Sequence, residues 1–115
     1  MLFLQYPPCS TCQKAKKWLD EHAISYEDRN IKAQNPSYEE LKAWYTASGL
    51  PLKRFFNTSG LAYKALNLKE RLPLMSEEEQ LQLLSSDGML VKRPLLICEN
   101  KILVGFKEAE WSAIL

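Results

Sequence analysis

Two thiols separated by two residues stand near the start of the chain, in Tyr6-Pro7-Pro8-Cys9-Ser10-Thr11-Cys12-Gln13-Lys14-Ala15. At that spacing the two sulfurs can close on each other as a disulfide, and a thiolate at either can attack a disulfide formed at the other. Cys9 falls where a helical pattern begins. Unsatisfied backbone N–H groups and the helix dipole favour an anion there. Lys14, Lys16 and Lys17 add positive charge nearby. A cysteine so placed can have its pKa lowered to roughly 3.5–7.5. Cys9 is therefore the candidate nucleophile. Cys12, one turn further on, is the candidate resolving thiol, with Ser10 and Thr11 between them in the same turn.

Two other uses of the pair compete with this one. Free cysteines often serve as small buried hydrophobes. Two cysteines could also be half of a zinc site, which needs about four ligands. Only Cys98 and His22 remain to complete one. Cys98 sits in a predicted core strand and His22 lies further down the helix that carries the pair, so metal binding is the weakest of the three. A second constellation is Arg93-Pro94, just before an apolar run. Proline cannot donate to a central ladder and should mark a strand's start. Arg93 is either a solvated charge or a partner for an anion or thiolate, since guanidinium suits oxyanions and keeps its charge.

These residues must be positioned by a small fold. With 115 residues, a single domain (1–115) with its own core is expected. A net charge of +1 gives no electrostatic case for direct nucleic-acid or membrane binding. Three cysteines are too few and of the wrong parity for a disulfide-stapled secreted scaffold. No signal peptide is visible and no segment approaches the roughly 20 apolar residues of a membrane span, so a cytoplasmic protein with reduced thiols is expected.

Leu2–Tyr6 reads as a short buried strand ended by Pro7-Pro8. Ser10–His22 reads as a helix with Ala15, Trp18, Leu19 and His22 on one side. Ile24–Asp28 reads as a second strand. Ser37 is the expected N-cap of a helix whose apolar face holds Leu41, Trp44 and Tyr45 and which ends at Gly49 and Pro51. A helical turn and loop are expected over 52–60, and a short helix with Tyr63 and Lys64 as surface and packing residues over 63–68. Ser76 and Glu79 form a capping box for a helix running to about Leu84. Leu95–Cys98 and Lys101–Val104 read as a tight hairpin, and Lys107–Leu115 as a last helix carrying Trp111, Ile114 and Leu115. The three tryptophans lie on predicted apolar faces, which makes them core rather than stacking platforms. The result is an α/β sheet protein, β-α-β then β-β-α, with a helical insertion at about 35–88 between core segments 1–34 and 89–115.

A Cys-x-x-Cys at the helix start of a β-α-β unit, a Pro-initiated strand, a hairpin and a final helix resemble the thioredoxin (glutaredoxin-like) fold. Tyr6–Ala15, Phe55-Phe56-Asn57-Thr58-Ser59-Gly60 and Asp87–Leu96, in that order, resemble the arsenate reductase ArsC/Spx family over essentially the whole chain. The resemblance implies that Cys9 is the family's redox cysteine, that Pro94 is its cis-proline beside Cys9, and that Arg93 lies close to the thiolate. It implies no bound cofactor and no metal, but an external thiol reductant such as a glutathione/glutaredoxin or thioredoxin system. It also implies a thiol partner protein or a small anionic substrate. The chain departs from the glutaredoxin-linked arsenate reductases in three ways. Cys12 stands where they have serine, and Gln5 where they have histidine. Asn57 and Gly105 align with two oxyanion-gripping arginines, so Lys53, Arg54 or Lys107 would have to substitute. Cys12 moves the match toward the Spx/MgsR branch, whose thiol pair is a redox switch and whose partner is the C-terminal domain of the RNA polymerase α subunit. That branch carries a polar, basic tail beyond the position of Leu115.

Overall fold

Alternation along three apolar strands sets the architecture. In β1 (Leu2–Gln5), Phe3 and Leu4 are both fully buried yet point to opposite faces, so the sheet must be covered on both sides. A computed structural model describes all residues, 1–115. It contains a four-stranded sheet in the order β2-β1-β3-β4, with β2 at Glu27–Asn30, β3 at Leu95–Ile97 and β4 at Ile102–Val104. The β1–β2 pair is parallel, and the β1–β3 and β3–β4 pairs are antiparallel. The chain is thus a mixed α/β protein with the sheet and helix order expected from the sequence.

One face of the sheet is covered by α1 (Ser10–Glu21) and the terminal α6 (Glu108–Ile114). Ala15, Trp18, Leu19 and Trp111 pack there on Phe3, Leu96 and Leu103. The other face carries Leu4, Leu95, Ile102 and Val104 and is covered by the segment between β2 and β3. That segment contains α2 (Tyr38–Ser48), α3 (Leu61–Ala65), α4 (Leu68–Arg71) and α5 (Glu77–Ser86). Both longer helices open on reciprocal capping boxes, Ser37 with Glu40 and Ser76 with Glu79. Gly49 closes α2 in the left-handed conformation, φ 68°. No helix is long and apolar enough to cross a membrane.

Several expectations need correction. The second strand is not Ile24–Asp28 but the polar Glu27–Asn30, because Ile24 and Tyr26 turn instead onto the α1–α6 cluster. The stretch 63–68 is not one helix. Asn67 adopts a left-handed conformation, φ 54°, that separates α3 from α4; Tyr63 is the packing residue of the expected pair and Lys64 the surface one. His22 is exposed and caps α1, stacked on Trp18 at 4.0 Å between ring centroids. Trp111 is buried as expected, and Ile114 and Leu115 are partly exposed at the end of the chain.

Candidate functional site

The turn that carries Cys9 is built by the two prolines. The Cys9 amide donates to the Tyr6 carbonyl at 2.9 Å, closing the turn over Pro7-Pro8. Cys9 is then in an extended conformation and its carbonyl accepts the first bond of α1, from the Gln13 amide at 3.0 Å. Cys9 is therefore the N-cap residue, with Ser10 and Thr11 the first two helical positions and Cys12 the third. The side chain of an N-cap residue faces the orphan N–H groups of the first turn. As a thiol, Cys9 accepts no capping hydrogen bond. As a thiolate it faces the Thr11 and Cys12 amides.

The electrostatics separate the two sulfurs. Partial burial works against ionisation of Cys9. The Cys12 amide and thiol, the Thr11 amide and the Arg93 guanidinium together outweigh it, and the Cys9 thiol is held below its ordinary 9.0. Cys12 is fully buried. Burial dominates there, the neighbouring Cys9 adds to it, and the thiol is pushed up to about 12 despite the Tyr6 amide, which donates to Cys12 Sγ at 3.5 Å. Both cysteines are free thiols, with Cys9 half-exposed.

Arg93 reaches this site from the segment before β3. The Arg93-Pro94 peptide bond is cis, and the Pro94 carbonyl accepts from the Gly105 amide at 2.8 Å. The guanidinium lies over the Tyr6 ring, 5.3 Å from its centroid. Its only hydrogen bond is long, 3.5 Å from Nη1 to the Met89 carbonyl, and its Nε is buried without a partner. The ring thus holds the flat face of the cation by a cation–π contact while leaving its N–H edge free for an anion.

Around Cys9 and Arg93 lies an open cleft of about 570 Å³. Thr11 lines it beside Cys9, together with Arg54, Asn57, Lys92, Gly105 and Lys107. The far wall belongs to the insertion. It is fastened to the pre-proline segment by Asn57 N–H to the Leu90 carbonyl and Lys92 N–H to the Phe55 carbonyl, each 2.8 Å. Gly60 closes tightly there, since a Cβ at this position would lie 2.6 Å from Asn57 Nδ2.

The structure brings together Cys9, Cys12, Thr11 and Arg93, with Pro94 joined to Arg93 by a cis peptide bond. Ser10 is exposed in the same turn. Of the three cations expected to replace the missing arginines, Arg54 and Lys107 line the cleft beside Asn57 and Gly105, whereas Lys53 lines an adjoining depression. Gln5 is buried away from the cleft and donates to Asp28 Oδ1 at 2.9 Å. Cys98 follows the far end of β3 from Pro94, half-buried, and burial pushes its thiol up. No three His, Cys, Asp or Glu side chains converge in a way that could hold a metal ion. Sequence reasoning missed Tyr6 and Lys92. Their signals were slight: an aromatic residue three positions before the nucleophile, and a second cation next to Arg93.

The model of the ArsC family matches residues 4–114. The uncharacterized protein YusI of Bacillus subtilis (strain 168) is 59% identical, over 96% of this chain and 94% of its own length. The regulatory protein MgsR of the same organism is 31% identical, over 96% of this chain and 86% of its own. The crystal structure of a possible arsenate reductase from Streptococcus mutans UA159 superposes with a TM-score of 0.91 at 46% identity, covering 99% of this chain and 97% of that one.

Proposed function

The chain belongs to the ArsC family, and from that premise we propose that it is a thiol–disulfide oxidoreductase in which Cys9 attacks and Cys12 resolves. The observation that supports this reading most is the unlike placement of the two thiols, Cys9 at the N-cap of α1 lining the cleft with Arg93 and Cys12 fully buried one turn behind it. The Cys9 thiolate attacks one sulfur of a substrate disulfide. A Cys9–substrate disulfide forms, the substrate S–S bond breaks, and the second substrate thiolate leaves. Bonding removes the negative charge from Cys9 Sγ, and with it the part of the rise in the Cys12 pKa that Cys9 adds to burial. Cys12 then gives its proton to the departed substrate thiolate, which leaves as a thiol, with the Tyr6 amide positioned to stabilise the Cys12 thiolate. It attacks Cys9 Sγ, closes the Cys9–Cys12 disulfide and releases the remaining substrate thiolate. An external thiol system returns the pair to the dithiol, as a reducing compartment such as the cytoplasm supplies. Arg93 faces the anionic leaving group or substrate.

The test is reduction of a mixed disulfide under single-turnover conditions. The wild type is expected to release both substrate thiols, Cys12→Ser to stop at a covalent adduct on Cys9, and Cys9→Ser to do neither. Release that survives Cys9→Ser would sink the assignment.

A second reading is favoured by the likeness to MgsR, which is named a regulatory protein. In it, closing the Cys9–Cys12 disulfide alters the surface around the Cys9 turn and so gates binding to RNA polymerase through the C-terminal domain of its α subunit. Retention on that domain, immobilised, in one redox state only would mark this use of the pair. Absence of retention in both states would remove it.

A further inference from the structure

The positive charge around Cys9 does not end with the cleft that Cys9 lines. A second depression, of about 360 Å³, adjoins it and shares Arg54 and Lys92 as common wall. Lys53 and Thr58 also line it. Five cations thus line the two depressions: Lys53, Arg54, Lys92, Arg93 and Lys107. No carboxylate lines either one, and none of the five is ion-paired. The chain as a whole carries 15 basic and 14 acidic residues, so this concentration is a local departure from near-neutrality. A single tetrahedral oxyanion held at Arg93 would leave Lys53 and the second depression uncovered. An extended segment seated at Cys9 in the first cleft can continue past the shared Lys92 and Arg54 into the depression that Lys53 lines. Leu61, 86% exposed on the rim of the first cleft, offers an apolar contact that a free oxyanion could not use.

We propose that the disulfide reduced by this thiol pair is carried on an acidic polypeptide segment, with carboxylates flanking the substrate cysteine that bind along Arg93, Lys92, Arg54 and Lys53. The proposal rests on the oxidoreductase reading and names its substrate class. In the mixed disulfide the substrate sulfur is bonded to Cys9 Sγ, and the flanking carboxylates lie over the shared wall and into the second depression.

The experiment uses short peptides bearing one cysteine as a mixed disulfide with neutral 2-thiopyridine and flanked by Glu, Gln or Lys. Release of thiopyridone is followed by absorbance, and each rate is divided by that for a small neutral thiol attacking the same peptide. An anionic tripeptide carrying the same mixed disulfide is run alongside. At low salt the Glu peptide is expected to react tenfold or more faster than the Gln peptide, within the roughly 10–10³ range of electrostatic rate enhancement, and the Lys peptide slower than both. The advantage should collapse as salt shortens the Debye length toward about 3 Å. Lys53→Glu should lower the Glu-to-Gln rate ratio several-fold. Equal normalised rates for Glu and Gln peptides would overturn the proposal. So would a ratio unchanged by Lys53→Glu, or a tripeptide as fast as the Glu peptide, since a small anion would then suffice. Failure of every peptide to react above the Cys9→Ser background would instead sink the oxidoreductase reading itself.

Discussion

At the scale of single residues, two chemically identical thiols one helical turn apart are made unlike by where the turn puts them. Cys9 is outside the first turn, facing its amides, and Cys12 is inside it, against β1. The difference predicts selective chemistry. Iodoacetamide near neutral pH should modify Cys9 and spare Cys12, read by mass spectrometry of the peptides. The pH midpoint of Cys9 alkylation should lie below 9.0, because the helix amides and Arg93 favour the thiolate. Arg93→Gln removes one favourable influence and should move that midpoint up. An unchanged midpoint would show that the amides alone lower it. Much of this scale was legible in the sequence, since the Cys-x-x-Cys spacing, the helix start and Arg93-Pro94 are all local patterns. Tyr6 was not. Its ring matters only because the chain brings Arg93 over it from 87 positions away in sequence, and nothing in the local pattern around Tyr6 encodes that contact.

At the scale of elements, legibility followed the kind of signal each one carried. The helices α2 and α5 announced themselves through capping boxes, which are contiguous in sequence. The strand β2 did not, because it is an edge strand of sequence Glu-Asp-Arg-Asn whose pairing with β1 comes from backbone bonds rather than apolar alternation. Its function in the fold is shown by Arg29. That guanidinium makes a two-pronged contact with Glu40, at 2.7 and 3.0 Å, and donates to the carbonyls of Gln34 and Asn35. One residue thereby fastens the edge strand to the linker and to the start of α2. The Arg29 contact, followed by the Ser37 amide, holds the Glu40 carboxyl at about 2 rather than 4.5. A depressed carboxylate pKa contributes stability that is fully present above the unfolded value and is lost as pH falls through the folded one. The contribution should therefore fade between about 4.5 and about 2. Denaturant titrations should show it. Arg29→Ala should cost about 1–3 kcal/mol at neutral pH, as loss of a charge-assisted contact does, and flatten the acid limb of the stability profile. An acid limb as steep in Arg29→Ala as in wild type would remove this pair from the account.

At the scale of the whole molecule, the cleft exists because segments distant in sequence are clamped together. Gly88, next to the pre-proline segment, passes so close to β2's end that a Cβ there would lie 1.9 Å from the Ile31 carbonyl oxygen. The Phe56–Val91 bridge ties the insertion to that same segment. The place of Lys92 beside Arg54 and Lys107 was illegible for this reason: the resemblance pointed to the latter two, but Lys92 is an ordinary cation in its own stretch, and only the clamped chain makes it their neighbour. The same clamping bears on cooperativity. The apolar clusters on the two faces of the sheet share its strands, through Phe3 and Leu4 in β1 and through Leu96 and Leu95 in β3. Neither can lose its strands without exposing the other, so the chain is expected to unfold as one unit. The tryptophans provide the probe. Trp18 and Trp111 lie in the α1–α6 cluster, while Trp44 packs on the opposite one. A variant with Trp18 and Trp111 both changed to Phe reports the insertion side alone through Trp44, and Trp44→Phe reports the other side. In each variant the fluorescence midpoint in denaturant should coincide with the far-UV circular dichroism midpoint of the same protein. Divergence within the Trp44-only protein would mean that the insertion melts separately. The cation-lined wall of the cleft would then be a structure that can open independently of the thiol pair.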